Sequence, residues 1–166
     1  MANNLFMIFI LCFITSSYLK LQVLAVEDIS YELDEGIFVL TKKNMRYFLE
    51  SYSQALVVFI LPWCVFCKKL GPELEKAAEI LKSADIPVGK IRGNSEPDLI
   101  KEYAIEEYPS IRLWKDGRLR NFNYSAADFE EGGYLTSDHL LDFICSYDDV
   151  DCSTLSWLEL PLTSQP

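Results

Sequence analysis

Apolar positions along this chain change spacing several times, and each change marks a boundary between elements. After an acidic segment, Glu27 to Gly36, the run Ile37-Phe38-Val39-Leu40 predicts a short strand. Thr41 is placed to cap a helix that carries Tyr47, Phe48 and Leu49 and ends near Tyr52. Ala55 to Leu61 is apolar throughout, the pattern of a strand covered on both faces of a sheet. Helical spacing follows from Trp63 to about Lys82, through Leu70, Leu74, Ala77, Ala78 and Leu81. Pro72 falls inside that helix and is expected to kink it, since its ring removes a donor and crowds the preceding turn.

Downstream, Pro87 to Ile91 predicts a strand and Glu96 to Tyr103 a short helix, with Pro97 tolerated in its first turn. Ile111 to Trp114 and Leu119 to Tyr124 predict two strands joined at the Asp116-Gly117 pair, a hairpin turn. A last helix begins near Thr136-Ser137-Asp138 and turns Leu140, Leu141, Phe143 and Ile144 inward. The order is βαβαβαββα. It predicts an α/β architecture, a mixed sheet with helices on both faces.

The first 25 residues read differently. Leu5 to Ile14 is one apolar run, long enough for the core of a signal peptide and short for a bilayer span. Val23-Leu24-Ala25 supplies a cleavage site after Ala25. The four residues Met1 to Asn4 carry no Lys or Arg and Lys20 sits late, so an uncleaved anchor from Leu5 to Val26 is the rival reading. Both readings send the chain into the secretory pathway, to the endoplasmic reticulum lumen or beyond. A membrane partner is expected only if the segment stays on. The expected organisation is a signal peptide at 1–25, a folded domain at 26–147 and a flexible tail at 148–166. No Lys-Asp-Glu-Leu-like signal closes that tail.

Composition narrows the function. The 166 residues carry 25 Asp and Glu against 15 Lys and Arg, a formal charge of −10, with a single histidine. Phosphate contacts need clustered cations, so nucleic acid is not an expected partner. That histidine, His139, is expected on the outer face of the last helix. Removing Cys12 with the signal peptide leaves four cysteines, Cys64, Cys67, Cys145 and Cys152, an even number suited to an oxidising compartment. Asn123-Tyr124-Ser125 is an acceptor sequon for N-glycosylation in a polar stretch.

The chemistry concentrates at Trp63-Cys64-Val65-Phe66-Cys67-Lys68. Cys64 lies where a strand runs into a helix, so unpaired N–H groups and the positive end of the macrodipole stabilise its thiolate. Cys67 lies one turn on and on the same face, within reach of a disulfide. An activated thiol beside a resolving thiol is the minimum for thiol–disulfide exchange. Cys145 and Cys152 are seven apart where the last helix gives way, and a local disulfide there is expected if the two Cα atoms come within about 7 Å. A zinc site built from all four cysteines is the alternative, disfavoured because the second pair lacks knuckle spacing. No metal or cofactor is expected.

The Trp-Cys-x-x-Cys-Lys motif and the predicted element order resemble the thioredoxin superfamily, in its protein disulfide isomerase type, over about residues 30–147. Asp98 to Ile105 followed by Tyr108-Pro109-Ser110-Ile111 resembles the segment that carries this family's cis-proline. The resemblance implies a thioredoxin fold, Cys64 as nucleophile and Cys67 as resolving cysteine. It also implies that Trp63, Tyr108 and Pro109 contact an extended protein or peptide substrate.

Three positions depart from the family pattern. Val65-Phe66 stands where the isomerases usually have Gly-His, so no imidazole supports the Cys64 thiolate. Val58, six residues before Cys64, replaces a buried acid that serves the second cysteine. It leaves Lys90, which matches a lysine often found near that acid, without its expected partner. An arginine that the isomerases place after the last strand is missing from Tyr124-Ser125-Ala126-Ala127-Asp128. The expected activity is thiol–disulfide oxidoreductase, slow and weakly oxidising. The alternative is a peptide- or partner-binding module whose Cys64–Cys67 bridge is a static staple.

Overall fold

The computed structural model describes residues 29–124 and 135–147. The expected signal peptide, the tail and residues 125–134 lie outside the described residues. The described strands are β1 (Glu32–Asp34), β2 (Ile37–Leu40), β3 (Gln54–Ile60), β4 (Val88–Arg92), β5 (Ser110–Lys115) and β6 (Arg118–Asn121). The helices are α1 (Met45–Ser51), α2 (Val65–Lys82), α3 (Pro97–Glu102) and α4 (Ser137–Cys145).

The strands form one mixed sheet in the order β1-β2-β4-β3-β5-β6. β4 runs parallel to β2 and β3, while β1–β2, β3–β5 and β5–β6 are antiparallel. β3 lies between β4 and β5, which is why Ala55 to Phe59 can be apolar at every position: all five are wholly buried. Alternate residues feed two cores. Leu56 and Val58 face Leu70, Leu74, Ala77 and Leu81 of α2 and Leu140 and Ile144 of α4. Ala55, Val57 and Phe59 face Met45, Phe48 and Leu49 of α1 and Leu99 of α3. At about 25 cal/mol per Å² these two layers supply the main stabilisation of the fold.

Several expectations need correction. The acidic segment holds a strand: β1 pairs with β2 through a tight turn at Glu35-Gly36, both in the left-handed region. The described order is therefore ββαβαβαββα. α1 starts at Met45, with Asn44 at the cap position, and Thr41 begins a preceding turn whose carbonyl accepts from Asn44 and Met45. The Asn44 side chain holds that turn by accepting from the Thr41 N–H at 2.7 Å. α2 starts at Val65, two residues later than expected, and runs to Lys82 with Pro72 inside it. The Asp116-Gly117 turn is as expected, with φ of 52° and 74°. His139 is a capping residue, since its Nδ1 accepts from the Thr136 N–H at 3.2 Å and completes a reciprocal cap at the start of α4.

Candidate active site

β3 delivers the chain to the top of the sheet, and Leu61-Pro62-Trp63 turns it into α2. The Cys64 N–H donates to the Leu61 carbonyl at 3.2 Å, and Cys64 takes the N-cap position with extended dihedrals. Its sulfur accepts the Cys67 N–H at 3.1 Å. A sulfur therefore occupies the place where an N-cap oxygen usually satisfies one of the helix's free donors. The Cys64 and Cys67 sulfurs are joined in a disulfide, with Cα atoms 5.2 Å apart.

The two sulfurs are not equally placed. Cys67 belongs to the buried core at 7% exposure, whereas Cys64 is part-exposed and flanked in the chain by Trp63, Val65 and Phe66, exposed by 66%, 63% and 53%. Across from Cys64 lies the Tyr108–Pro109 segment, whose peptide bond is cis. The Tyr108 carbonyl oxygen stands 3.6 Å from the Cys64 sulfur. In the dithiol state, a Cys64 S–H could donate to it. Pro109 is buried, and its carbonyl accepts from the Tyr124 hydroxyl at 2.6 Å. Burial, then the nearby Glu107 charge, push the Tyr124 phenol up, so it stays a donor. Gly93 backs the segment from the other side. A Cβ built there would stand 2.8 Å from the Tyr108 hydroxyl, so only glycine lets that ring lie so close.

Trp63, Cys64, Cys67, Tyr108 and Pro109 are thus brought together at one end of the sheet. Cys145 ends α4 and is disulfide-bonded, and Cys152, its expected partner, lies outside the described residues. Asn123 is exposed just after β6. No group of three or more His, Cys, Asp or Glu among the described residues could hold a metal ion.

The expectation that Lys90 lacks a partner is corrected by the structure. Val58 is wholly buried and lies in register with Lys90 on the adjacent strand, so no acid meets the lysine from β3. Instead, Lys90 Nζ pairs with Asp34 of β1 at 2.7 Å, and Arg92 joins the same carboxylate at 2.9 Å. The hydrogen bond and charge of Lys90, with Arg92 behind them, hold the Asp34 carboxyl below its usual range. Beside this group, a hydrogen bond to Glu35 pushes the Glu75 carboxyl up, as in two carboxyls sharing a proton. Sequence reasoning misses Asp34 because an acid on an unrecognised strand carries no periodic signal; its alternation with Glu32 is the available clue.

A six-stranded mixed sheet with a cis-proline segment facing a Cys–Cys disulfide at a helix start defines a thioredoxin-type protein. Comparison with known proteins agrees. The Thioredoxin family model matches residues 36–144, and the chain belongs to that family. It is 41% identical over 106 residues to a probable protein disulfide-isomerase A4 of Caenorhabditis elegans, covering 64% of this chain and 16% of that protein. To human protein disulfide-isomerase A4 it is 35% identical over 130 residues, covering 70% of this chain and 20% of that one. The chain therefore spans a fifth or less of the length of these relatives. Among solved structures, the first thioredoxin domain of mouse protein disulfide-isomerase A4 matches with a TM-score of 0.63 at 26% identity, over 84% of this chain and 91% of that domain. Human ERp44 shares the fold, with a TM-score of 0.56 at 23% identity over 65% of this chain and 31% of that one.

Proposed function

We propose that this chain is a thiol–disulfide oxidoreductase of the secretory pathway that acts on extended protein or peptide substrates through Cys64 and Cys67. The observation that carries this reading is the asymmetry of the pair: one sulfur reachable at a helix N-cap, the other buried behind it. In oxidation, a substrate thiolate attacks the Cys64 sulfur, the Cys64–Cys67 bond breaks and Cys67 leaves as the thiolate. A second substrate thiolate then attacks the substrate sulfur of the mixed disulfide and releases Cys64. In reduction, the Cys64 thiolate opens a substrate disulfide, and Cys67 attacks the Cys64 sulfur to free the substrate.

The N-cap geometry favours a Cys64 thiolate through the Cys67 N–H and the helix terminus. With Phe66 in place of an imidazole and Val58 in place of an acid, neither cysteine has a side-chain proton acceptor at the family's positions. The expected catalyst is slow. Tyr108 and Pro109 offer backbone to an extended substrate, and Trp63 adds apolar contact. Asn123, exposed in its sequon, is the proposed glycan acceptor, and Cys145–Cys152 the proposed second bridge. No described helix is long and apolar enough to cross a membrane. The lumenal placement rests on the Leu5–Ile14 run and on similarity to disulfide isomerases.

The deciding experiment is the reduction potential of the Cys64–Cys67 pair, from equilibration with glutathione buffers. A value between about −180 and −250 mV is expected for exchange. A value below about −300 mV, typical of structural bridges, would overturn the reading. The losses at Val58 and Phe66 favour the second reading, a binding module with a static bridge, and that outcome would establish it.

A further inference from the structure

The chain carries ten more acids than bases, yet the half-buried Arg112 guanidinium has no acid paired with it among the described residues. Arg112 points from β5 into the space between the Ala104–Glu107 loop and the end of β6. Its Nε is enclosed without a hydrogen-bond acceptor, and no ion pair with a described residue engages the side chain. Among the described residues, the guanidinium carbon lies over the face of Phe59, 5.7 Å from the ring centroid. A ring face compensates a cation far less than a carboxylate does, and a buried N–H without an acceptor is costly. Burial accordingly pushes the Arg112 guanidinium down from its ordinary value.

Arg112 lines a cavity of about 360 Å³. Ser110, Asn121 and Asn123 add neutral hydrogen-bonding groups to its wall, and Glu106 and Glu107 stand at its exposed rim. The cavity adjoins the cis-proline segment. Tyr108, whose carbonyl faces Cys64, precedes Arg112 by four residues, and β5 begins between them at Ser110. We propose that this cavity is a carboxylate subsite, in which Arg112 takes an acidic side chain of the substrate polypeptide about four residues from its reacting cysteine. The inference rests on the oxidoreductase reading and adds a specificity to it. Glu106 and Glu107 select within the class: they repel a phosphate dianion or a run of acids, and tolerate one carboxylate on an otherwise uncharged or basic segment.

The test separates the subsite from the redox chemistry. Full-length protein made without N-glycan, so that Asn123 is unmodified, is titrated with a short uncharged peptide. The peptide carries serine for the reacting cysteine and one glutamate about four residues away. The control replaces that glutamate with glutamine. Amide chemical shifts of Ser110, Arg112 and Asn121 report occupancy. The glutamate peptide is expected to bind about fivefold more tightly, and Arg112→Gln to erase the difference. Arg112→Lys, which keeps the charge but loses the planar fork, should keep part of it. Oxidation of dithiothreitol should stay within about twofold in both variants, since a small uncharged dithiol does not reach the cavity. Equal binding of the two peptides, a preference that survives Arg112→Gln, or inorganic phosphate outcompeting the glutamate peptide would each overturn the subsite. A preference in binding without exchange at Cys64 would keep the subsite and sink the oxidoreductase reading; exchange without preference would do the reverse.

Discussion

Two regions of this molecule treat charge in opposite ways. Cys64 is flanked in the chain by exposed Trp63, Val65 and Phe66, and the strand behind is apolar through Val58. Where β1, β4 and α2 meet, Asp34, Lys90, Arg92, Glu35 and Glu75 crowd into one network. The dithiol end keeps the geometry of exchange: a sulfur at the N-cap, a covered partner and a facing carbonyl. The network end holds the ionisable groups that could have tuned it. Lys90 shows the difference most directly, because its ammonium is drawn to the sheet edge by Asp34 and finds only Val58 across the strand. Geometry and electrostatics, usually built together at a redox site, are here separable.

Substitutions at the two ends separate their roles. Cys64→Ser should have the largest effect, abolishing exchange by about a thousandfold or more in a peptide oxidation assay. If turnover survives, Cys67 is the reachable sulfur and the assigned asymmetry is wrong. Val58→Glu restores an acid in register with Lys90. Release of substrate from the mixed disulfide should speed up about tenfold to a hundredfold in stopped flow, and the variant should lose about 2–4 kcal/mol of stability by denaturant titration. An unchanged release rate would show that proton transfer at Cys67 does not limit release.

Phe66→His supplies a cationic neighbour to Cys64. Its thiol pKa should fall by about one unit and the reduction potential rise by about 30 mV, read by thiolate absorbance and glutathione equilibration. A variant indistinguishable from wild type in both would mean that position does not face the sulfur. Asp34→Asn acts on the network alone. It should cost about 1–2 kcal/mol at neutral pH, discounted for the half-exposed carboxylate, while leaving exchange kinetics unchanged.

The sign with pH follows from Asp34's lowered value. Its contribution is full above the unfolded pKa of about 3.9 and is lost as pH falls through the lower folded value. The gap between wild type and Asp34→Asn should therefore close in acid. A gap that stayed constant from neutral pH to below about pH 3 would remove the ion pair from the account.

Much of the fold is legible in the chain because the signals are local. β3 announces itself by seven residues with no polar side chain between Ala55 and Leu61, α2 by its repeat, and the β5–β6 turn by Asp116-Gly117. The dithiol is legible for the same reason, since spacing and helix position fix what two cysteines can reach. β1 is not: its three residues owe their conformation to backbone pairing with β2 and to ion pairs with residues more than fifty positions away. The start of α1 misleads because a buried Asn44 folds back onto Thr41 and delays the helix. His139 looks idle in the sequence because a histidine rarely fills the third position of a cap. Arg112 leaves no sequence trace, as a cation without an acid partner among the described residues looks like any other.

The short β1 strand also has a consequence for keeping company. Without it, Ile37-Phe38-Val39-Leu40 would border the sheet with bare amides and carbonyls, a template for any extended chain that drifted past. Glu32 and Asp34 bring two negative charges to that border, pinned by Lys90 and Arg92, and the strand is too brief to recruit another. The sheet thereby avoids being seeded into an aggregate along this side.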